Sequence, residues 1–301
     1  MALANRVPLA RLEVLYADIA RDVFAGASVW RQLRHGHSSD AAPLARVLQQ
    51  VLGADTMMRQ PGRQPAAFVV TTCTEAPAAA GAAARLELRV LRTYNSPAPS
   101  GGRDGPEAWR QWEAALATSA APTILPPLRR ADGATFVDGA LSGNNNPSLL
   151  VLTEGLQLAA AAGRPVDIVL SLGCGEAAGT SAGEGSRAAP GAGSLLFWLG
   201  QVVNLAFDAS LQEERTQRLM AQICPAARYA RLSPVLRTDC ALAEHRAAPL
   251  AALRADTTAY LWSQREELSR LAAWLAQDDV EDETGGGLLP GVGQLSEAML
   301  L

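Results

Sequence analysis

Asp138 is the residue whose placement points most directly to chemistry. It lies in Thr135 to Pro147, TFVDGALSGNNNP, where a short apolar run of Phe136 and Val137 ends on the carboxylate and passes at once into Gly139 and Ala140. Asp followed by Gly at the end of a strand makes a sharp bend that exposes the acidic side chain. Such a carboxylate either starts a structural turn or accepts a proton, and the local pattern alone favours the turn. The following Asn144, Asn145 and Asn146 are suited to satisfying the backbone groups of a loop.

Other patterns carry less. Residues 179–183 read Gly-Thr-Ser-Ala-Gly, a literal G-x-S-x-G that would make Ser181 a nucleophile. It follows Asp138 in the chain, no buried strand runs straight into it, and Gly/Ser/Pro sequence stands where a helix should start, so Ser181 is the weaker candidate. Gly173-Cys174-Gly175-Glu176-Ala177-Ala178 fits a dinucleotide fingerprint nominally, but no helix pattern opens there and no acid lies roughly 20 residues on. It reads as a tight turn at a strand end, with Cys174 a small core residue. His245 is the only His after Asp138, in the polar segment AEHRAAP, and reads as a surface residue. The four cysteines (Cys73, Cys174, Cys224, Cys240) form no C-x-x-C pair and read as reduced, mostly buried thiols. With only 3 His, two of them adjacent in a polar loop (His35, His37), a metal centre is not expected.

The elements that must position these residues follow from periodicity. Leu9 to Phe24 carries a helical apolar face, and a polar loop over 34–42 leads to a second helix, Pro43 to Leu52, stopped by Gly53. Ala66 to Thr72 is a continuous apolar run of strand length, and Leu86 to Leu91 alternates like a half-buried strand. Trp109 to Ala117 is helical, with Trp109 and Trp112 as packing residues. After the Asp138 strand come a helix from Pro147 to Ala162 and a buried strand, Val166 to Leu172. A Gly/Ala/Ser-rich loop, a long helix from Ser194 to about Ile223, a short strand at Tyr229 to Leu232 and a helical stretch from Pro249 to Gln277 complete the domain. Residues 1–277 thus form one domain, and the acidic, Gly-rich 278–301 form a disordered tail. Strands alternating with helices predict an α/β fold with a mainly parallel central sheet covered on both faces, whose sites form at strand C-terminal ends. Asp138 and the Gly173 turn both occupy such ends.

Composition narrows the functional classes. Net charge −4 argues against nucleic acid as the main partner. The most apolar long run, Leu195 to Phe207, contains Gly200, Gln201 and Asn204 and is shorter than the roughly 20 residues of a membrane span. As a helix, it suits a core position or the lining of an apolar groove. No signal peptide is visible, which points to the cytoplasm or to the periphery of an intracellular membrane.

Six ordered segments together resemble the patatin-like phospholipase family, near its calcium-independent branch. They are FVVTT (68–72), RTYNSP (92–97), ALATSAAPT (115–123), TFVDGALSGNNNP (135–147), IVLSLGCG (168–175) and RYARLSP (228–234), within a resemblance spanning about residues 10–275. The resemblance implies a three-layer α/β/α domain, hydrolysis of phospholipid or other acyl-lipid esters by a Ser–Asp dyad, peripheral membrane contact and no cofactor. Asp138, Gly139 and Ala140 match the family's Asp-Gly-Ala motif, which makes Asp138 the base. The family's glycine-rich loop and G-x-S-x-G elbow, which precede that Asp, have no counterpart in the first 137 residues. An N-terminally truncated hydrolase domain, inactive as given, is therefore expected, with a non-catalytic lipid-binding or scaffolding relative as the alternative.

Overall fold

The computed structural model describes residues 5–59, 65–75, 85–96, 108–177, 209–237 and 240–282. Three helices lead: α1 (Leu9–Phe24), α2 (Val29–His35) and α3 (Ala42–Leu52). Strands β1 (Phe68–Glu75) and β2 (Arg85–Arg92) follow, then α4 (Gln111–Thr118), β3 (Leu128–Arg129) and β4 (Thr135–Asp138). The second half contains α5 (Ser148–Ala162), β5 (Ile168–Leu172), β6 (Glu176–Ala177), α6 (Ala209–Ile223), β7 (Arg228–Leu232), β8 (Val235–Leu236), α7 (Ala247–Ser263) and α8 (Arg265–Asp282).

Mixed helices and strands agree with an α/β domain, but the strand directions correct the expectation of a mainly parallel central sheet. The largest sheet among the described residues has the order β2-β1-β4-β3 and is antiparallel at every pairing. The connection over residues 76–84 is shorter than the dozen or so residues a parallel crossover requires, so β1 and β2 close as a hairpin. Strands β3 and β4 are joined through a turn in which Gly133 has φ +85° and the Asp132 carboxylate accepts from the Ala134 N–H at 3.0 Å. Parallel pairing is confined to β5–β7 and β6–β8. A crossover containing α6 makes β5 and β7 parallel.

Three apolar clusters hold these units. Met58, Cys73, Leu91, Trp109 and Phe136 pack on the four-stranded sheet, with Trp109 edge-on to Phe136 at 4.8 Å between ring centroids. Val23, Leu44, Leu116 and Leu125 join α1, α3 and α4, while Leu152, Val169 and Met220 join α5, β5 and α6. A bidentate ion pair from Arg92 on β2 to Glu154 on α5, with the Tyr94 hydroxyl donating to the same carboxylate at 2.8 Å, ties the first sheet to the second half. The run Val166 to Leu172, expected to be a buried strand, alternates instead over β5: Val169 and Ser171 are buried, whereas Leu170 and Leu172 are exposed. The C-terminal helical stretch is two helices broken at Gln264, and α8 continues into the acidic run assigned to the tail. No helix among the described residues is long and apolar enough to cross a membrane.

Candidate active site

Asp138 is the last residue of β4 and the N-cap of a 3-10 turn, Gly139–Ser142. Its Oδ1 accepts from the Ala140 N–H at 2.9 Å, its own N–H donates to the Ala120 carbonyl at 3.0 Å, and its carbonyl accepts from Thr72 Oγ1 at 3.2 Å. Fully buried Thr71 adds a hydroxyl bond to the Val137 carbonyl at 2.6 Å, so the last two residues of FVVTT clamp the end of the Asp138 strand. The bend requires glycine for space: a Cβ on Gly139 would lie 2.6 Å from the Val70 carbonyl oxygen, which belongs to the backbone of β1. The turn closes at Gly143 in the left-handed region (φ +78°), with Ser142 Oγ donating to the Gly139 carbonyl at 2.9 Å.

The carboxyl is only half engaged. Oδ2 has no partner among the described residues. Burial pushes the Asp138 carboxyl above the usual Asp range, and the Ala140 N–H offsets that rise in part. The side chain, with Thr118, lines two cavities. The larger, about 2190 Å³, is walled by Leu170, Leu172, Cys174 and Leu232, and by residues of α1, α7 and α8. The smaller, about 520 Å³, is bounded by Gly139, Ala140, Asn144 and Asn145.

The other candidates fall out as follows. Ser181 lies outside the described residues, as does the apolar run from Leu195 to Phe207. Cys174 is exposed in the wall of the larger cavity, not buried in the core, because β5 ends at Leu172 and the chain turns across that opening. Among the cysteines only Cys73 is buried. His245 lines the same cavity, half-buried, and its ring meets only the Ala243 carbonyl, at 3.4 Å. No His, Ser or Cys among the described residues hydrogen-bonds to the Asp138 carboxylate. The Gly173 turn leads into the two-residue β6 without a helix, and no group of His, Cys, Asp and Glu among the described residues forms a metal cluster.

A polar hub beside the site was not read from the sequence. Asn144 does serve its loop, donating to the Ser142 carbonyl at 3.0 Å, but Asn146 does more. Its Oδ1 accepts from the Ser148 hydroxyl at 2.6 Å and its Nδ2 donates to Glu213 at 2.9 Å. The same carboxylate accepts from the Tyr229 hydroxyl at 2.7 Å and pairs with Arg231 at 3.3 Å, while Arg231 also donates to Ser171 Oγ at 2.7 Å. The loop after Asp138 is thereby anchored to α6, β5 and β7. The visible signal was Tyr229 and Arg231 two apart in a strand, polar groups sharing one face.

The family model described as patatin-like phospholipase matches residues 1–151, half of the chain and the part containing the Asp138 turn. The chain belongs to the patatin-like phospholipase family. Comparison with curated proteins finds no match.

Proposed function

We propose that this chain is a domain of a lipid acyl hydrolase in which Asp138 is the general base of a Ser–Asp dyad. The observation that carries the reading is the half-paired carboxylate at a strand end, lining an apolar cavity in a chain of this family. Oδ1 is oriented by the Ala140 N–H, which leaves Oδ2 to take the proton of a serine hydroxyl as that oxygen attacks the ester carbonyl. Burial raises the Asp138 pKa and so makes its carboxylate a better proton acceptor than an ordinary Asp. The proton then passes to the leaving alcohol, and water releases the acyl group from the serine by the same route. The apolar wall formed by Leu170, Leu172 and Leu232 suits the acyl chain.

No serine among the described residues reaches Oδ2, and the first 137 residues hold no G-x-S-x-G. The 301-residue chain is therefore expected to turn over a p-nitrophenyl ester no faster than background. Should the DNA upstream of Met1 encode a G-x-S-x-G elbow in frame, the longer chain is expected to show turnover that Asp138→Ala removes. Turnover by the chain alone that disappears in Ser181→Ala would assign the nucleophile to residues 179–183. If a chain that carries such an elbow is inactive yet binds lipid, the second reading stands: a non-catalytic lipid-binding relative, favoured by the lack of a serine bonded to the Asp138 carboxylate among the described residues.

A further inference from the structure

Helix α2 carries an apolar pair that the fold does not cover: Trp30 is 82% exposed and Leu33 is 75% exposed. Spaced three apart, they share one helical face, and exposed Arg34, four residues after Trp30, lies beside them. Scattered exposed apolar residues are ordinary; a Trp and a Leu together on one face beside a cation are not. The helix sequence, VWRQLRH, has two arginines and no acid, in a chain whose net charge is −4. Arg31 faces Asp40 at 3.5 Å, whereas Arg34 meets no acid among the described residues.

Both ends of α2 are fixed to the wall of the larger cavity. The preceding α1 contributes Tyr16, Ala20 and Phe24 to that wall. On the other side, the Ser38 and Ser39 N–H groups donate to the Thr123 and Ile124 carbonyls at 2.9 Å each, and Ile124 lines the cavity too. We infer that α2 docks the domain on an anionic lipid surface. Trp30 and Leu33 enter the boundary between headgroups and acyl chains, and Arg34 pairs with lipid phosphates. An indole, apolar with one polar N–H, is suited to that boundary, and a basic helix is drawn to an anionic leaflet. A second copy fits this face poorly. A two-fold contact through α2 would oppose two basic helices, and a helix of 7 residues covers far less than the roughly 800 Å² per partner of a standard interface.

The inference rests on the acyl-lipid reading only for the identity of the substrate, and its test needs no turnover. Co-sedimentation of the full chain with phosphatidylcholine vesicles, with and without phosphatidylserine, is expected to show binding that is stronger on the anionic vesicles and weakened by salt. Trp30→Ala with Leu33→Ala is expected to lower the partition coefficient at least about tenfold on both vesicles. Arg34→Gln is expected to lower it about fivefold on anionic vesicles and to leave neutral ones unchanged. Unaltered far-ultraviolet circular dichroism and unfolding midpoint would show that these exposed substitutions leave the fold intact. Equal binding by parent and double variant overturns the proposal, as does a parent that binds neither vesicle. So does a dimer that the double variant dissociates in the absence of lipid binding. Asp138→Ala is expected to leave vesicle binding unchanged, so that the docking face and the Ser–Asp reading fail independently of one another.

Discussion

The Asp138 carboxyl loses more hydration on folding than the single Ala140 N–H restores, which is why its pKa rises. The folded state therefore holds the proton more tightly than the unfolded chain. Stability falls as pH climbs from the unfolded Asp value, about 3.9, through the raised folded value, and the full loss is present above it. Asp138→Asn keeps an oxygen for Ala140 and removes the charge. Thermal unfolding at neutral pH is expected to show a higher midpoint for Asp138→Asn than for the parent, with the two converging near pH 3. A lower midpoint for the variant at neutral pH would contradict the assigned cause. Its neighbour is constrained by space instead. Gly139→Ala forces a methyl against the Val70 backbone, and denaturant unfolding is expected to show a loss of about 2–3 kcal/mol, because that strand cannot step aside as a side chain can.

Between elements, the hub around Glu213 does what sequence periodicity does not encode. Asn146 of the loop after Asp138, Ser171 of β5 and Tyr229 of β7 converge on the paired Glu213 carboxylate and Arg231 guanidinium, which are 16% and 11% exposed. Glu213→Ala removes the counter-ion of half-buried Arg231 and an acceptor of the Tyr229 hydroxyl and is expected to cost about 3 kcal/mol in urea unfolding. Tyr229→Phe, which removes one bond and keeps the packing, is expected to cost about 1 kcal/mol. Near-equal losses would mean that the ring, not the charge network, holds these elements together. Local elements were legible where they carried their own punctuation. Gly53 ended α3, Pro147 stood just before α5, and the apolar Phe136–Val137 run ran into Asp138-Gly139. Helix α2 was missed because its apolar pair faces solvent and marks no buried face. Strand direction was missed because pairing is non-local: only the short connection over 76–84 distinguished a hairpin from a crossover. The hub joins residues 146, 171, 213, 229 and 231, too far apart in sequence for any local pattern to connect, whereas Asp138 needed only its immediate neighbours.

At the scale of the whole molecule, a wide space opens in front of Asp138. At about 2190 Å³ it exceeds the roughly 300–1,000 Å³ of an ordinary small-molecule pocket. Its walls come from both halves of the chain: α1 and β4 on one side, β5, β7, α7 and α8 on the other. Leu172, 67% exposed, and Trp262, 54% exposed, face water there, and long acyl chains would cover apolar surface of this kind. A ligand that binds only the folded state stabilises it by about 3 kcal/mol at a concentration a hundred times its Kd. A monomeric lysophospholipid is therefore expected to raise the unfolding midpoint by several degrees in proportion to the logarithm of its concentration. Leu172→Asp places a carboxylate in that wall. Since Leu172 is already largely exposed, the substitution is expected to leave the unliganded midpoint within about a degree while abolishing the lipid-dependent rise. A rise that survives Leu172→Asp would place the lipid elsewhere on the molecule. No rise for the parent would mean that this space does not take acyl chains.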